Sequence, residues 1–267
     1  MDGTIGIIGV GNIGEAIVKG FLEAGFKKEN LFFSEIVPVR RKEIREKYGI
    51  RDCDSIKELA DLAEYIIGAI KPQDANYLLK ELSPYMKPKN VFISVMAGVT
   101  SSRIISLLGQ KAKLIRIMPN ICVRVREGVI GIWRNEMVEE NEFEFVRETF
   151  SSLGMVVEIK EELFDAITAF SGSGPAFFLF FLEGMVDAGV RIGFSREVSL
   201  KIAEKIITGT MKIMERENIH PSSLKERITS PGGTTIAGLV ELEERAFKGA
   251  IIRAIEAAAK RAKELSL

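Results

Sequence analysis

The chain has 267 residues, and its 37 Lys+Arg are balanced by 37 Asp+Glu, so the formal net charge is zero. That length holds one large domain or two ordinary ones, and 46% hydrophobic beside 28% charged residues excludes wholesale disorder. Zero net charge removes the general electrostatic basis for binding nucleic acid or an anionic membrane. The two cysteines, Cys53 and Cys122, lie far apart without metal-like spacing. They point to a reduced, cytoplasmic chain with neither a disulfide framework nor a metal site.

The first half alternates short apolar runs with helical patterns, the signature of a parallel sheet covered by helices. A strand is predicted at 4–8 and an amphipathic helix at 15–24, where Ala16, Ile17, Gly20, Phe21 and Ala24 share one face. A second strand follows at 31–34 and a charged helix at 40–48. Further strands are predicted at 65–70, 90–95 and 114–117, with crossover helices at 75–82 and 101–108. Two more strands, at 128–133 and 155–158, flank a helix at 139–152.

After about residue 162 the strand signals stop. Helices are predicted at 165–170, 175–192, 198–217, 223–228 and 235–265, with Ser195 and Ser222 as caps and Gly189 and Gly193 bracketing a helix end. The most apolar run, 176–182, stops at Glu183, short of the ~20 residues a bilayer span needs. No export signal is expected at the amino terminus. Phe177, Phe178, Phe180 and Phe181 point too many ways for one amphipathic face, so the helical half is expected to bury the remainder against a partner subunit. The boundaries are placed at 1–162 for an α/β domain with a mostly parallel sheet and 163–267 for an all-α domain.

Gly9-Val10-Gly11-Asn12-Ile13-Gly14 leaves a predicted strand and opens a predicted helix, the arrangement of a Rossmann-type dinucleotide fingerprint. The first glycine permits a tight turn, the second a close approach to pyrophosphate, and the third close helix–strand packing. Glu35, after the second strand, stands where an acid accepts the 2′-hydroxyl of NAD. Ser34, Arg40 and Arg41 instead suit the 2′-phosphate of NADP, and the residues leave that choice open. Ala69 to Gln73, including Lys71 and Pro72, the segment with Ala97 and Gly98, and Met118-Pro119-Asn120 each follow a strand on the ligand-binding edge of such a sheet. In the helical half, Ser171-Gly172-Ser173-Gly174-Pro175-Ala176 and Ser230-Pro231-Gly232-Gly233-Thr234-Thr235 are glycine-rich helix starts. Successive free amides in such turns form a nest for a small carboxylate.

These segments, the Pro-Gly-Gly-Thr-Thr loop above all, resemble pyrroline-5-carboxylate reductase from one end of the chain to the other. The resemblance implies NADPH- or NADH-dependent reduction of 1-pyrroline-5-carboxylate to L-proline, the last step of proline biosynthesis. It also implies a Rossmann domain followed by a helical domain that interlocks in a homodimer, in some members a decamer. Carried over by position, Thr235 meets the substrate ring nitrogen, and Ser230, Gly232, Gly233 and Thr234 grip its carboxylate. Gly9, Gly11, Asn12, Ile13, Gly14, Ser34, Glu35, Ala69, Lys71, Pro72, Gln73, Ala97, Gly98 and Asn120 border the nucleotide. Glu35 departs from the neutral residues common at its position, against an exclusive NADPH preference.

The helix after Gly172-Ser173-Gly174 has no lysine, unlike β-hydroxyacid dehydrogenases of similar plan, which need a general acid. A cyclic imine already carries its proton, so orientation suffices. The rival readings are such a dehydrogenase, another imine reductase, or a nucleotide-sensing scaffold without turnover. The single histidine, His220, is expected to serve a loop or cap.

Overall fold

The computed structural model describes residues 3–266. Eight strands form one sheet in the order β3-β2-β1-β4-β5-β6-β7-β8. They are β1 (Ile5–Ile8), β2 (Leu31–Ser34), β3 (Arg51–Asp52), β4 (Tyr65–Gly68), β5 (Val91–Ser94), β6 (Lys113–Pro119), β7 (Gly128–Arg134) and β8 (Gly154–Glu158). All pairings are parallel except β6 with β7. Every residue of β1, β4 and β5 is buried, as expected where helices cover both faces.

The helices of this part are α1 (Asn12–Glu23), α2 (Pro38–Tyr48), α3 (Ile56–Leu62), α4 (Ala75–Leu82), α5 (Ser101–Leu108) and α6 (Glu140–Ser151). Alternation along β1 divides the core: Ile5 and Ile7 join Phe21, Phe33, Ile44 and Phe150 on one face, while Ile8 joins Leu59, Leu79 and Phe92 on the other. The short β3 and α3 carry no clear signal in the sequence. β3 is a two-residue edge strand, and α3, with seven residues, is too short for a clear period.

The remainder is helical: α7 (Phe164–Ile167), a π turn over Thr168–Gly172, α8 (Gly174–Arg191), α9 (Arg196–Glu217), α10 (Pro221–Arg227), α11 (Thr234–Glu244) and α12 (Phe247–Leu265). The single helix predicted at 235–265 is broken, because Ala246 takes a left-handed φ of 51° after Arg245. Gly189 lies inside α8, where a Cβ would come within 2.5 Å of Ser199 Oγ, so it marks close helix packing and not a helix end. Ser195 caps α9 by accepting from the Val198 amide at 3.3 Å. Ser222 is no cap: His220 holds that place, its Nδ1 accepting from the Ser222 amide at 3.3 Å.

By packing, the chain separates into one compact unit of Met1–Ser173 with Ala258–Leu267 and a second of Gly174–Ala257. The division falls after the predicted boundary at 162, since α7 and the π turn pack with the sheet, and the last residues return to that unit. In the second unit, α11 and the part of α12 it contains have no buried residue, and α9 has only Ser199 and Ala203. The apolar run 176–182 does end at Glu183, but the longer helical stretch Glu161–Arg191 that contains it is apolar enough, by length and composition only, to cross a membrane, a weak signal that a core helix gives as well. Only 17% of its apolar window is buried, so these side chains require a cover that one chain does not supply.

A charged network fastens α2 to α1. Glu15 accepts from Lys47 Nζ and Tyr48 Oη, both at 2.8 Å, and pairs with Arg40. Partial burial pushes its carboxyl upward, but the hydrogen bonds from Lys47, Arg40 and Tyr48 outweigh this and hold its pKa at about 2. A pKa below the ordinary carboxylate value means stability present above about pH 4.5 and lost as pH falls toward 2. Glu15→Gln is therefore expected to lower the melting temperature by a few degrees at pH 7, with the gap to the parent closing on acidification. Thermal melts at stepped pH read this directly.

Candidate functional site

The turn between β1 and α1 needs its glycines for separate reasons. Gly9 has a left-handed φ of 86°, and a Cβ there would fall 2.9 Å from the Ala69 carbonyl. A Cβ on Gly14 would fall 2.1 Å from the Gly9 carbonyl, so helix and turn touch backbone to backbone. At Gly11 a Cβ meets nothing within 4 Å. Gly11 is also the N-cap of α1 and offers no capping side chain, so the first-turn amides stay available to a ligand. An open space above an uncapped helix start fits the pyrophosphate of a dinucleotide.

The neighbouring strand ends converge on this turn. The Gly9 amide donates to the Ser34 carbonyl at 2.9 Å and the Ala69 amide to that of Ile8 at 2.8 Å. Glu35 accepts from the Val10 amide at 3.0 Å on one oxygen and from the Val37 amide at 2.9 Å on the other. Arg40 and Arg41 are both engaged: Arg40 with Glu15, Glu43 and the Val10 carbonyl, Arg41 with Asp52 and Asp54 at 2.9 and 2.6 Å. Directly after Glu35, Ile36 is 92% exposed, an apolar side chain on the same edge that no motif in the sequence signals.

Other predicted residues lie along the same edge. Lys71 and Gln73 flank Pro72 at a short 3₁₀ turn, exposed and without a side-chain hydrogen bond among the described residues. Gly98 packs against the end of α12, where a Cβ would lie 3.1 Å from the Leu265 carbonyl, while Ala97 and Gly98 both stay half-exposed. Asn120 is 7% exposed, and its side chain is consumed internally. Its Oδ1 accepts from the Cys122 and Val129 amides, and its Nδ2 donates to the Ser171 carbonyl at 3.2 Å. Two glycine-rich or proline-containing motifs, 118–120 and 171–174, thus meet through Asn120 at the π turn. The Asn120 backbone is engaged as well, the amide donating to the Val129 carbonyl and the carbonyl accepting from the Val123 amide, both at 3.2 Å, so the structure does not favour the expected nucleotide contact.

In the second unit, Ser230-Pro231-Gly232-Gly233 forms a β-turn closed by the Gly233 amide on the Ser230 carbonyl at 3.1 Å. Pro231 takes the second place, and Gly232, with φ of 68°, the third, as a type II turn requires. A Cβ on Gly233 would strike Ser230 Oγ at 2.3 Å, whereas Gly232 opens on free space. Gly233 then caps α11 without a side chain. Thr234 and Thr235 occupy the first turn, Thr235 half-buried, and neither hydroxyl has a hydrogen-bond partner among the described residues. Threonines deeper in helices, such as Thr208 and Thr210, bond back to the carbonyl four residues earlier. At 235 the preceding residues are still in the turn, so the hydroxyl remains free beside uncapped amides. Among the described residues no His, Cys, Asp and Glu cluster could hold a metal ion.

Comparison with known proteins adds to this geometry. The family signature described as pyrroline-5-carboxylate reductase dimerisation matches residues 161–265, and one described as NADP oxidoreductase, coenzyme F420-dependent, matches 4–98. The chain is 38% identical to the pyrroline-5-carboxylate reductase of Aquifex aeolicus, over 98% of this chain and 97% of that protein. A Plasmodium falciparum pyrroline carboxylate reductase, solved with NADP bound, is 32% identical, with a TM-score of 0.90 over 100% of this chain and 99% of that one. A Coxiella burnetii pyrroline-5-carboxylate reductase gives a TM-score of 0.93 at 28% identity, covering 100% of both chains.

The two glycines flanking Ile13 and Asn12 separate stability from binding. Gly14→Ala is expected to destabilise the fold by about 1–3 kcal/mol through overpacking against the Gly9 carbonyl. Gly11→Ala should leave melting unchanged while weakening nucleotide affinity by about tenfold. Melting curves paired with nucleotide titration separate the two effects.

Proposed function

The chain belongs to the pyrroline-5-carboxylate reductase family, and we propose that it performs the family's reaction with the glycine turn of 9–14 holding the nucleotide and the 230–235 turn holding the imino acid. It is an NAD(P)H-dependent oxidoreductase that reduces 1-pyrroline-5-carboxylate to L-proline. The observation that carries the substrate assignment is the turn of Pro231, Gly232 and Gly233 running uncapped into α11, beside the free, half-buried Thr235 hydroxyl. A five-membered imino acid presents a carboxylate and a ring nitrogen side by side, which matches an amide nest next to a hydroxyl.

When bound, the reduced nicotinamide supplies the hydride that the C=N carbon accepts. The chain's own residues bind and orient. The amides of Gly232 and Thr234, with Ser230, hold the carboxylate where the helix start is partially positive, whereas the Gly233 amide, expected from the sequence to join them, is spent on the Ser230 carbonyl that closes the turn. Thr235 aligns the ring nitrogen, which keeps the proton it carries as an iminium, so no general acid is required. Consistent with this, α8 contains no lysine. The rate then depends mainly on orientation.

For the nucleotide, Ile36 and Val37 offer apolar surface beside the adenosine end, and Gly9, Gly11 and Gly14 admit the pyrophosphate. Ser34, Ala69, Lys71, Pro72, Gln73, Ala97 and Gly98 complete the border. Each Glu35 oxygen retains acceptor capacity after its amide bond, enough for a ribose hydroxyl. Its negative charge opposes a 2′-phosphate, while Arg40 and Arg41 are already paired with carboxylates. These features favour NADH over NADPH.

The protein is a homodimer or larger homo-oligomer, and the exposed apolar side chains of α8, α9, α11 and α12 are the surface we assign to the interface. Both cysteines are free, and burial pushes the Cys53 thiol up to about 11. A chain whose two cysteines do not pair fits a reducing compartment, and we propose the cytoplasm.

Following nucleotide oxidation at 340 nm with 1-pyrroline-5-carboxylate should show turnover, with kcat/KM higher for NADH than for NADPH. Nucleotide binding without turnover would make the chain a sensor. Thr235→Ala is expected to lower kcat/KM by about one to two orders of magnitude, about 1.4–2.8 kcal/mol of transition-state interaction. Unchanged kinetics in that variant would remove Thr235 from the mechanism.

A further inference from the structure

The residue at the centre of the dinucleotide turn is held from both sides by opposite charges. Val10 is fully buried, its amide donating to Glu35 at 3.0 Å and its carbonyl accepting from Arg40 Nε at 2.9 Å. Glu35 is anchored in turn by the Val37 amide. Arg40 spreads its remaining nitrogens to Glu15 in the first turn of α1 and to Glu43 in α2, the latter at 3.2 Å. One guanidinium therefore ties the turn's carbonyl, the start of the helix whose amides face the ligand, and the helix from which it projects.

We propose that Arg40 is a positioning residue for nucleotide binding: through the Val10 carbonyl and the Glu15 carboxylate it fixes the direction in which the α1 amides point. The proposal rests on the nucleotide-binding reading of this turn. An arginine after β2 invites assignment to a 2′-phosphate, yet all three nitrogens of Arg40 already have partners within the protein. Its planar fork reaches a carbonyl and a carboxylate at once, which the single ammonium of a lysine cannot reproduce. The position of the Val10 peptide matters because Gly11, which follows it, is the N-cap of α1 and has open space above it. A small rotation there turns the whole ring of donors away from the phosphates. Arg41 provides the internal contrast, since it pairs with Asp52 and Asp54 at the β3 end and touches neither the turn nor α1.

The test compares Arg40→Ala, Arg40→Lys and Arg41→Ala with the parent. NADH and NADPH are titrated separately by nicotinamide fluorescence without imine, alongside thermal melts and steady-state kinetics. Both Arg40 variants should weaken the two nucleotides by the same factor, about tenfold. Arg41→Ala should stay within about twofold, and kcat at saturating nucleotide and KM for the imine should hardly move. A loss confined to NADPH would make Arg40 a direct phosphate ligand and overturn the proposal. So would a fall in melting temperature with unchanged affinities, or full affinity in Arg40→Lys. Should Arg40→Ala fail to fold, the lysine variant, which keeps stem and charge, decides. Because the titration contains no imine, its outcome is separate from that of the reductase reading, which is judged by turnover.

Discussion

The backbone contact between Gly14 and the Gly9 carbonyl is the constraint on which the rest of the amino-terminal unit depends. It brings the start of α1 against the end of β1 so closely that no side chain fits between them. The helix therefore begins with its free amides at the edge of the sheet. A capping serine or aspartate at position 11 would satisfy one of those amides and occupy the space a ligand needs. Ser55 and Thr100 cap α3 and α5 with their hydroxyls, whereas α1, like α2 and α4, begins without a side-chain cap. What distinguishes α1 is the open space above its N-cap, where a Cβ on Gly11 would meet nothing within 4 Å.

The charges around the turn follow from the same constraint. An unsatisfied helix start placed by a flexible loop would have no fixed direction, so the loop is bound by Glu35 and Arg40, and Arg40 is tied through Glu15 to Lys47 and Tyr48. These groups compensate one another. Glu15 remains ionised because three donors converge on it, and Arg40 is drawn from a possible ligand role into the scaffold. The second turn, at 230–235, is built with far less. A proline, two glycines and a single backbone bond set its shape, and the groups that would face a carboxylate have no charged neighbours holding them.

Much of this was legible in the sequence. Strand β2 and helices α4 and α5 fall at their predicted residues because each combines strong periodicity with a clear stop. The glycine turns were readable because glycine spacing reports backbone geometry directly. What escaped was of two kinds. Short elements such as β3 and the turn into α3 lack enough residues to show a period. The break at Ala246 also escaped, because an alanine in the left-handed region gives no warning in a run as helical as 247–265. The second kind concerns partners distant in sequence. Nothing at positions 10, 15, 35 and 40 says that these four meet, and Arg40 looks the same in a sequence whether it holds a phosphate or a peptide carbonyl. Asn120 is similar: its motif was visible, but not that its side chain would be spent on Cys122, Val129 and Ser171.

The helical unit shows why composition can be more informative than pattern. Alpha-helical periodicity assigns each helix one buried face, yet α8 carries phenylalanines around most of its circumference. Phe178 and Phe180, at 47% and 79% exposure, stay uncovered within one chain. Such a helix has no stable place in water by itself, since each uncovered ring forgoes burial worth on the order of 2 kcal/mol. A membrane or a second subunit could each supply the cover. Of these, the subunit agrees with the polar residues interspersed along the neighbouring helices: α9 alone carries Glu197, Lys201, Glu204 and Lys205 in alternation with its apolar side chains. A lipid-facing surface would have to desolvate those charges, whereas a protein interface can leave them at its rim. The same excess of apolar surface that makes the isolated chain look incomplete is therefore what commits it to its own copy.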